Sequence, residues 1–191
     1  MKIIIGIISY FPGDEEIRST RIKWLNTLIN KCNAVFNIPI YIIAQNYTRE
    51  DAENFGSKDN VSLFEFPKLG ITGARKQLRE TFLNGDGDYL IMLDDDAMLR
   101  GVDKEFKLYL NEIRQHPGGW ALKRSKLLKL LAISREVYEQ LPFPDINPEL
   151  NEGYEDAVFC YLLKTNFATK EFHFTSKIFD FSDSAHDPNS T

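Results

Sequence analysis

Three consecutive carboxylates, Asp94-Asp95-Asp96, follow the apolar run Leu90-Ile91-Met92-Leu93. At an effective dielectric near 20, two unit charges about 4 Å apart repel by about 4 kcal/mol, so such a triplet at an apolar strand end must take up protons or hold a cation. A divalent metal resolves the conflict. Oxygen-only ligands suit Mg²⁺ or Mn²⁺, which keep positions open for phosphate oxygens. Strand alternation sends Asp94 and Asp96 to one face and Asp95 to the other, so one or two can ligate while the remainder takes a hydroxyl or a backbone donor. The bland alternative is a solvated acidic turn or helix cap, and the four apolar residues ahead of the triplet weigh against it.

A second acidic pair, Glu155-Asp156, opens a helical stretch after Asn151-Glu152-Gly153-Tyr154. Acidic residues in a first turn commonly do no more than offset the helix dipole. Here Ala157, Val158, Phe159, Tyr161, Leu162 and Leu163 make the helix apolar nearly all round, so it is expected to be buried. Successive helical residues diverge by about 100°, which lets one carboxylate face a cleft as a general base while the other holds a donor. Arg75, Lys76 and Arg79 lie just past Gly70-Ile71-Thr72-Gly73. Near a helix N-terminus, Arg75 could meet phosphates or brace the acidic triplet, whereas Lys76 and Arg79 read as a solvated face. Ser9-Tyr10-Phe11-Pro12 ends the first apolar run, the position that receives a nucleotide base in open α/β sheets, and Tyr10 could stack on one.

Among the three histidines, His116 beside Pro117-Gly118 reads as a loop or cap residue and His173 as a strand-face residue. His186 lies in a polar tail, either as a third metal ligand or simply solvated. The basic run Lys123 to Lys129 reads as a lysine-protected strand edge, with a polyanion or membrane surface as the alternative. Walker A, dinucleotide, Gly-x-Ser-x-Gly and Cys/His zinc signatures are absent, which disfavours kinase, dehydrogenase, serine hydrolase and zinc enzyme.

The elements that must position these residues alternate. Lys2 to Ser9 reads as a strand buried on both faces; Asp14 caps a helix with Ile22, Leu25, Leu28, Ile29 and Cys32 at helical spacing. Strands over Pro39 to Ala44, Val61 to Phe66 and Asp88 to Leu93 are separated by a short polar helix from Thr48 and a longer one from Gly70 carrying Ala74, Leu78 and Phe82. This order predicts right-handed βαβ units, with the acidic triplet at the carboxyl end of a central strand. Beyond it, a helix from Asp103 to Gln115, strands near Trp120 to Lys123 and Lys126 to Ile133, a short helix from Ser134, a Pro-rich loop and the Glu155-Asp156 helix are expected. The 191 residues, 43% hydrophobic and 27% charged, are enough for one core. The net charge of −5 argues against duplex nucleic acid as a partner. Two cysteines, Cys32 and Cys160, both in apolar helical patterns, make no disulfide framework and fit a reducing, cytoplasmic setting.

Taken in order, Ile3 to Tyr10, Gly73-Ala74-Arg75, Leu93-Asp94-Asp95-Asp96 and Gly153-Tyr154-Glu155-Asp156-Ala157-Val158-Phe159 resemble the GT-A glycosyltransferase fold, in particular soluble inverting transferases of family-two type with a DXD motif. The resemblance covers about residues 3 to 165. It implies one α/β domain over 1–191 with a Rossmann-like, mostly parallel sheet flanked by helices, a nucleotide-binding part over about 1–100 and an acceptor-side part over about 101–191. It also implies a metal-dependent transfer of a sugar from a nucleoside diphosphate sugar, with UDP-sugar the first expectation, to a hydroxyl of a glycan, protein or other acceptor. Asp96 would ligate Mn²⁺ or Mg²⁺, with Asp94 or Asp95 holding ribose or metal and His186 as a further ligand. Ser9, Tyr10 and Arg75 would serve the donor nucleotide, Asp156 would be the base, and Glu155 would help hold the acceptor. A metal-dependent phosphatase and a non-catalytic nucleotide-sugar-binding module are the alternatives.

Overall fold

The computed structural model describes residues 1–97, 103–122, 130–141 and 154–175. Its first half runs β1 (Ile3–Tyr10), α1 (Glu15–Val35), β2 (Ile40–Gln45), α2 (Arg49–Gly56), β3 (Val61–Phe66), α3 (Gly70–Asn84) and β4 (Tyr89–Asp94). The second half contributes α4 (Asp103–Gln115), β5 (Trp120–Leu122), β6 (Leu130–Ser134), α5 (Arg135–Gln140) and α6 (Tyr154–Asn166). The first two helices begin where the sequence places them. Asp14 accepts the Ile17 N–H at 3.0 Å, and Thr48 and Asp51 form a reciprocal capping box on α2.

The strands form one sheet in the order β3-β2-β1-β4-β6-β5. β1 pairs in parallel with both β2 and β4, and β3 pairs in parallel with β2, while β6 runs antiparallel to β4 and β5. The chain therefore leaves β1 in one direction and returns on its other side to build β4. That reversal opens a crevice at the carboxyl ends of β1 and β4, where open α/β sheets take their ligands.

Alternation along β1 sorts the core into two layers. Ile3, Ile5 and Ile7 face α1 and α4 together with Ile91 and Leu93, while Ile4 and Ile8 face α3, α5 and α6 together with Leu90 and Met92. Both faces are covered, which is why the first strand reads as a continuous apolar run. Gly6 sets how closely α3 approaches: a Cβ there would lie 2.7 Å from Leu78 Cδ1 and 2.8 Å from Leu90 Cδ1. Arg135, the first residue of α5, fastens the far end of α3. Its guanidinium donates to the carbonyls of Phe82, Leu83, Gly85 and Gly87 at 2.7 to 2.9 Å and lies 5.0 Å from the Phe82 ring centroid.

Several expectations change. α6 is one-sided rather than buried all round: Asp156, Phe159, Cys160 and Leu163 are buried, while Tyr161 is 67% exposed. The helix is an outer layer that can cover only one side of the sheet. Arg79 is a capping residue instead of a solvated one, donating at 3.1 Å to the carbonyls of Tyr138 and Glu139 at the end of α5. His173 lies in an irregular segment past Glu171 rather than on a strand, whereas His116 keeps its expected place in the loop after α4 and stacks on Phe172 with ring centroids 4.5 Å apart. The basic run 123–129 and the Pro-rich loop lie outside the described residues.

Candidate functional site

The crevice gathers residues from five elements. Strand alternation continues through the end of β4, so Asp94 follows Leu90 and Met92 toward α3 and α6, and Asp95 follows Ile91 and Leu93 toward α1. Their partners differ accordingly.

On the α3 side, Arg75 is fully buried and bridges two carboxylates. Its NH2 donates to Asp94 Oδ1 at 3.2 Å, and its NH1 is paired with Asp156 Oδ1 on α6. Two of the acidic motifs, far apart in sequence, thus meet on one guanidinium. Of the two roles open to Arg75, bracing the acidic residues is the one the geometry displays. The sequence carries a trace of this, because Arg75, Leu78 and Phe82 share one helical stripe and all three are buried.

On the α1 side, the Ser9 hydroxyl donates to Asp95 Oδ2 at 2.8 Å, and Arg21 NH1 lies 3.3 Å from the same oxygen. Burial pushes the Asp95 carboxyl up to about 6; Arg21 and the Ser9 hydrogen bond oppose the shift, while the charges of Asp96 and Asp94 add to it. Arg21 is a site residue that the motif reading missed. Its signal was a cation at the head of the stripe Arg21, Leu25, Leu28, Cys32, whose other members are buried.

At the mouth, Tyr10 ends β1 and is half-buried, with Lys68 Nζ 5.4 Å from its ring centroid. Lys68 belongs to the β3–α3 connection, which is held in turn by Gln45, whose buried side-chain oxygen accepts the Leu69 N–H at 2.8 Å. Asn46 Nδ2 donates to the Phe11 carbonyl at 2.7 Å, and the Phe11 and Tyr47 rings stack 4.1 Å apart. Lys68 and Gln45 carried no recognisable motif, since their place depends on which loops share the same end of the sheet.

Ser9, Tyr10, Arg75, Asp94, Asp95, Asp96 and Asp156 are therefore all within the described residues, and Asp94 and Asp156 converge on Arg75. The Glu155 side chain and all of His186 lie outside them. Carboxylate oxygens at this rim are the donor type that Mg²⁺ and Mn²⁺ accept. Among the described residues, however, no three His, Cys, Asp or Glu side chains converge on one metal position. Asp94 is turned to Arg75, and Asp95 to Ser9 and Arg21.

No family model matches the sequence, and no curated protein matches it. Solved structures do resemble it. S. aureus TarS 1-349 in complex with UDP aligns with a TM-score of 0.66 at 13% identity, over 94% of this chain and 59% of that one. A cytidylyltransferase from Leptospira borgpetersenii serovar Hardjo-bovis gives 0.61 at 14% identity, over 94% and 78%. The glycosyltransferase GlyE in Streptococcus pneumoniae TIGR4 gives 0.55 at 16% identity, over 91% and 45%. The chain thus spans less than two thirds of the TarS and GlyE chains. At these identities the likeness carries the architecture: an α/β, Rossmann-like fold with a mostly parallel six-stranded sheet flanked by helices, of the kind found in nucleotidyl- and glycosyltransferases.

Proposed function

We propose that this protein is a GT-A type glycosyltransferase that moves a sugar from a nucleoside diphosphate sugar to an acceptor hydroxyl with inversion. The observation that carries the reading is the meeting of Asp94, from the carboxyl end of β4, and Asp156, from the first turn of α6, on the buried Arg75. A rim carboxylate on the nucleotide side and a carboxylate from a later helix are thereby held in one crevice. The fold neighbour described in complex with UDP supports a nucleotide as the ligand of this crevice.

In this reaction the acceptor O–H gives its proton to Asp156 as its oxygen bonds the anomeric carbon. The bond from that carbon to the diphosphate breaks, and the nucleoside diphosphate leaves with the electron pair. Arg75 engages Asp156 Oδ1 and so orients the carboxylate that takes the proton. Tyr10 offers a face for the base, and Asp95, oriented by Ser9 and Arg21, offers a carboxylate to ribose. Glu155 neighbours the base in the first turn of α6 and helps to hold the acceptor. Mg²⁺ or Mn²⁺ held by Asp96, Asp94 and His186 would supply positive charge to the departing diphosphate. UDP-sugars are the first donors to try, and glycan, protein or other hydroxyl compounds the acceptors. The whole chain would then act as one domain, its first hundred residues serving the donor and the rest the acceptor.

The test is sugar release and UDP binding with Mn²⁺ across a panel of nucleotide sugars. The Asp156→Asn variant is expected to retain UDP affinity while turnover falls by about 10²-fold or more. Equal turnover rejects Asp156 as the base. Phosphate release from simple phosphomonoesters would instead favour a phosphatase, and binding with no sugar release a non-catalytic module.

A further inference from the structure

Arginines that grip a diphosphate must be reachable from the cleft, and Arg75 is not: its relative exposure is 0%. It lies in the second turn of α3, flanked by the core residues Ala74 and Leu78, on a helix that Gly6 lets press directly onto β1. Its guanidinium spans from Asp94 on the sheet to Asp156 on α6. A planar fork can present N–H groups to two carboxylates in different directions at once, which a lysine ammonium on a flexible stem does less rigidly.

We propose that Arg75 is a positioning residue rather than a phosphate ligand: one guanidinium fixes the donor-side carboxylate Asp94 and the acceptor-side carboxylate Asp156 relative to each other. The inference rests on the transferase reading for what the two carboxylates do, but the tie between them stands on geometry alone. Sugar transfer requires the base to lie in line with the breaking bond, and a shift of about 1 Å in such an arrangement lowers rate by about 10²-fold. Loosening Arg75 therefore impairs turnover while leaving the nucleotide's metal-free affinity nearly intact. A phosphate ligand would do the opposite to affinity.

Two measurements on the full chain decide the matter. First, UDP binding is measured by calorimetry with a chelator present, so that the metal held by Asp94 does not enter, and sugar release with Mn²⁺ at saturating nucleotide sugar is followed, for wild type and Arg75→Lys. The expected result is a UDP dissociation constant within about threefold of wild type and a turnover at least about 30-fold lower, the signature of an effect confined to the reacting arrangement. A UDP affinity that falls in step with turnover overturns the proposal. Second, Asp94→Asn, Asp156→Asn and the double variant are compared in urea unfolding, which requires neither activity nor a change at Arg75. Carboxylates sharing one guanidinium are expected to be non-additive, by about fivefold or more in the unfolding equilibrium constant. Additive effects overturn the tie. If the wild type neither binds UDP nor releases sugar, the transferase reading fails, and the unfolding cycle alone judges the link.

Discussion

Asp95 makes the most exacting test of how this crevice is built. Its carboxyl is 6% exposed and raised from 3.8 to about 6 by burial, a shift that Arg21 and Ser9 only partly offset. In its ionised form it therefore weakens the fold at neutral pH by about 3 kcal/mol, since one pH unit of displacement corresponds to about 1.36 kcal/mol. An Asp95→Asn substitution removes the charge and keeps an oxygen to accept from Ser9. It brings a buried amide that must find its own partner, at a cost of about 1 kcal/mol. The variant is thus expected to be more stable than wild type by about 2 kcal/mol at pH 7.5, or about 4 to 8 °C in Tm for a chain of this size. The sign follows from proton uptake. Between pH 6 and 3.8 the folded carboxyl binds a proton that the unfolded one does not, so wild type gains on the variant as pH falls through that window. Urea unfolding at pH 7.5, 6, 5 and 4, with a chelator to exclude divalent ions, should show the variant's advantage shrink and then close. An Asn variant less stable than wild type at pH 7.5, or a gap indifferent to pH, would refute the reasoning. The sacrifice of stability at one buried carboxylate is what a functional site looks like energetically.

Three further outcomes follow from the same structure. Arg135→Met removes the donors that satisfy four carbonyls around the end of α3 and should lower stability by about 2 to 4 kcal/mol in urea, with Lys recovering less than half. Gly6→Ala forces a methyl against Leu78 and Leu90; stability should drop by about 1 to 3 kcal/mol, and no drop would mean that α3 does not press on β1 as described. Tyr10→Ala should weaken UDP binding by about 5- to 150-fold, the value of one base–aromatic stack, and unchanged calorimetric affinity would move the base elsewhere.

Much of this arrangement is legible in the residue order because its cause is local. The caps at Asp14 and Thr48, the apolar run of β1 and the separation of Asp94 from Asp95 all follow from helical and strand periods that need no partner to be read. The antiparallel seating of β6 is different. Leu130–Ser134 is a short apolar run whose direction depends on which edge remains open once β1 to β4 have assembled. Burial of a charge is equally nonlocal: nothing in Gly73-Ala74-Arg75 distinguishes a guanidinium reaching for a ligand from one enclosed between Asp94 and Asp156. α6 misled for a related reason, since composition counts apolar residues on every side, whereas the sheet has only one side to offer it and leaves Tyr161 outside. Arg21 and Arg75 do share a readable mark, a cation on an otherwise buried stripe.

The insertion of β6 between β4 and β5 has a practical bearing on how this chain can be divided. Expressed without its later residues, the first hundred would present Tyr89–Leu93 as a raw margin, hydrophobic on both sides and lacking the neighbour that β6 supplies. Such a half-molecule would seek that neighbour in another copy of itself and precipitate. The two halves of the chain are therefore regions of one weave, and a truncation meant to isolate either should retain the strand borrowed from the other.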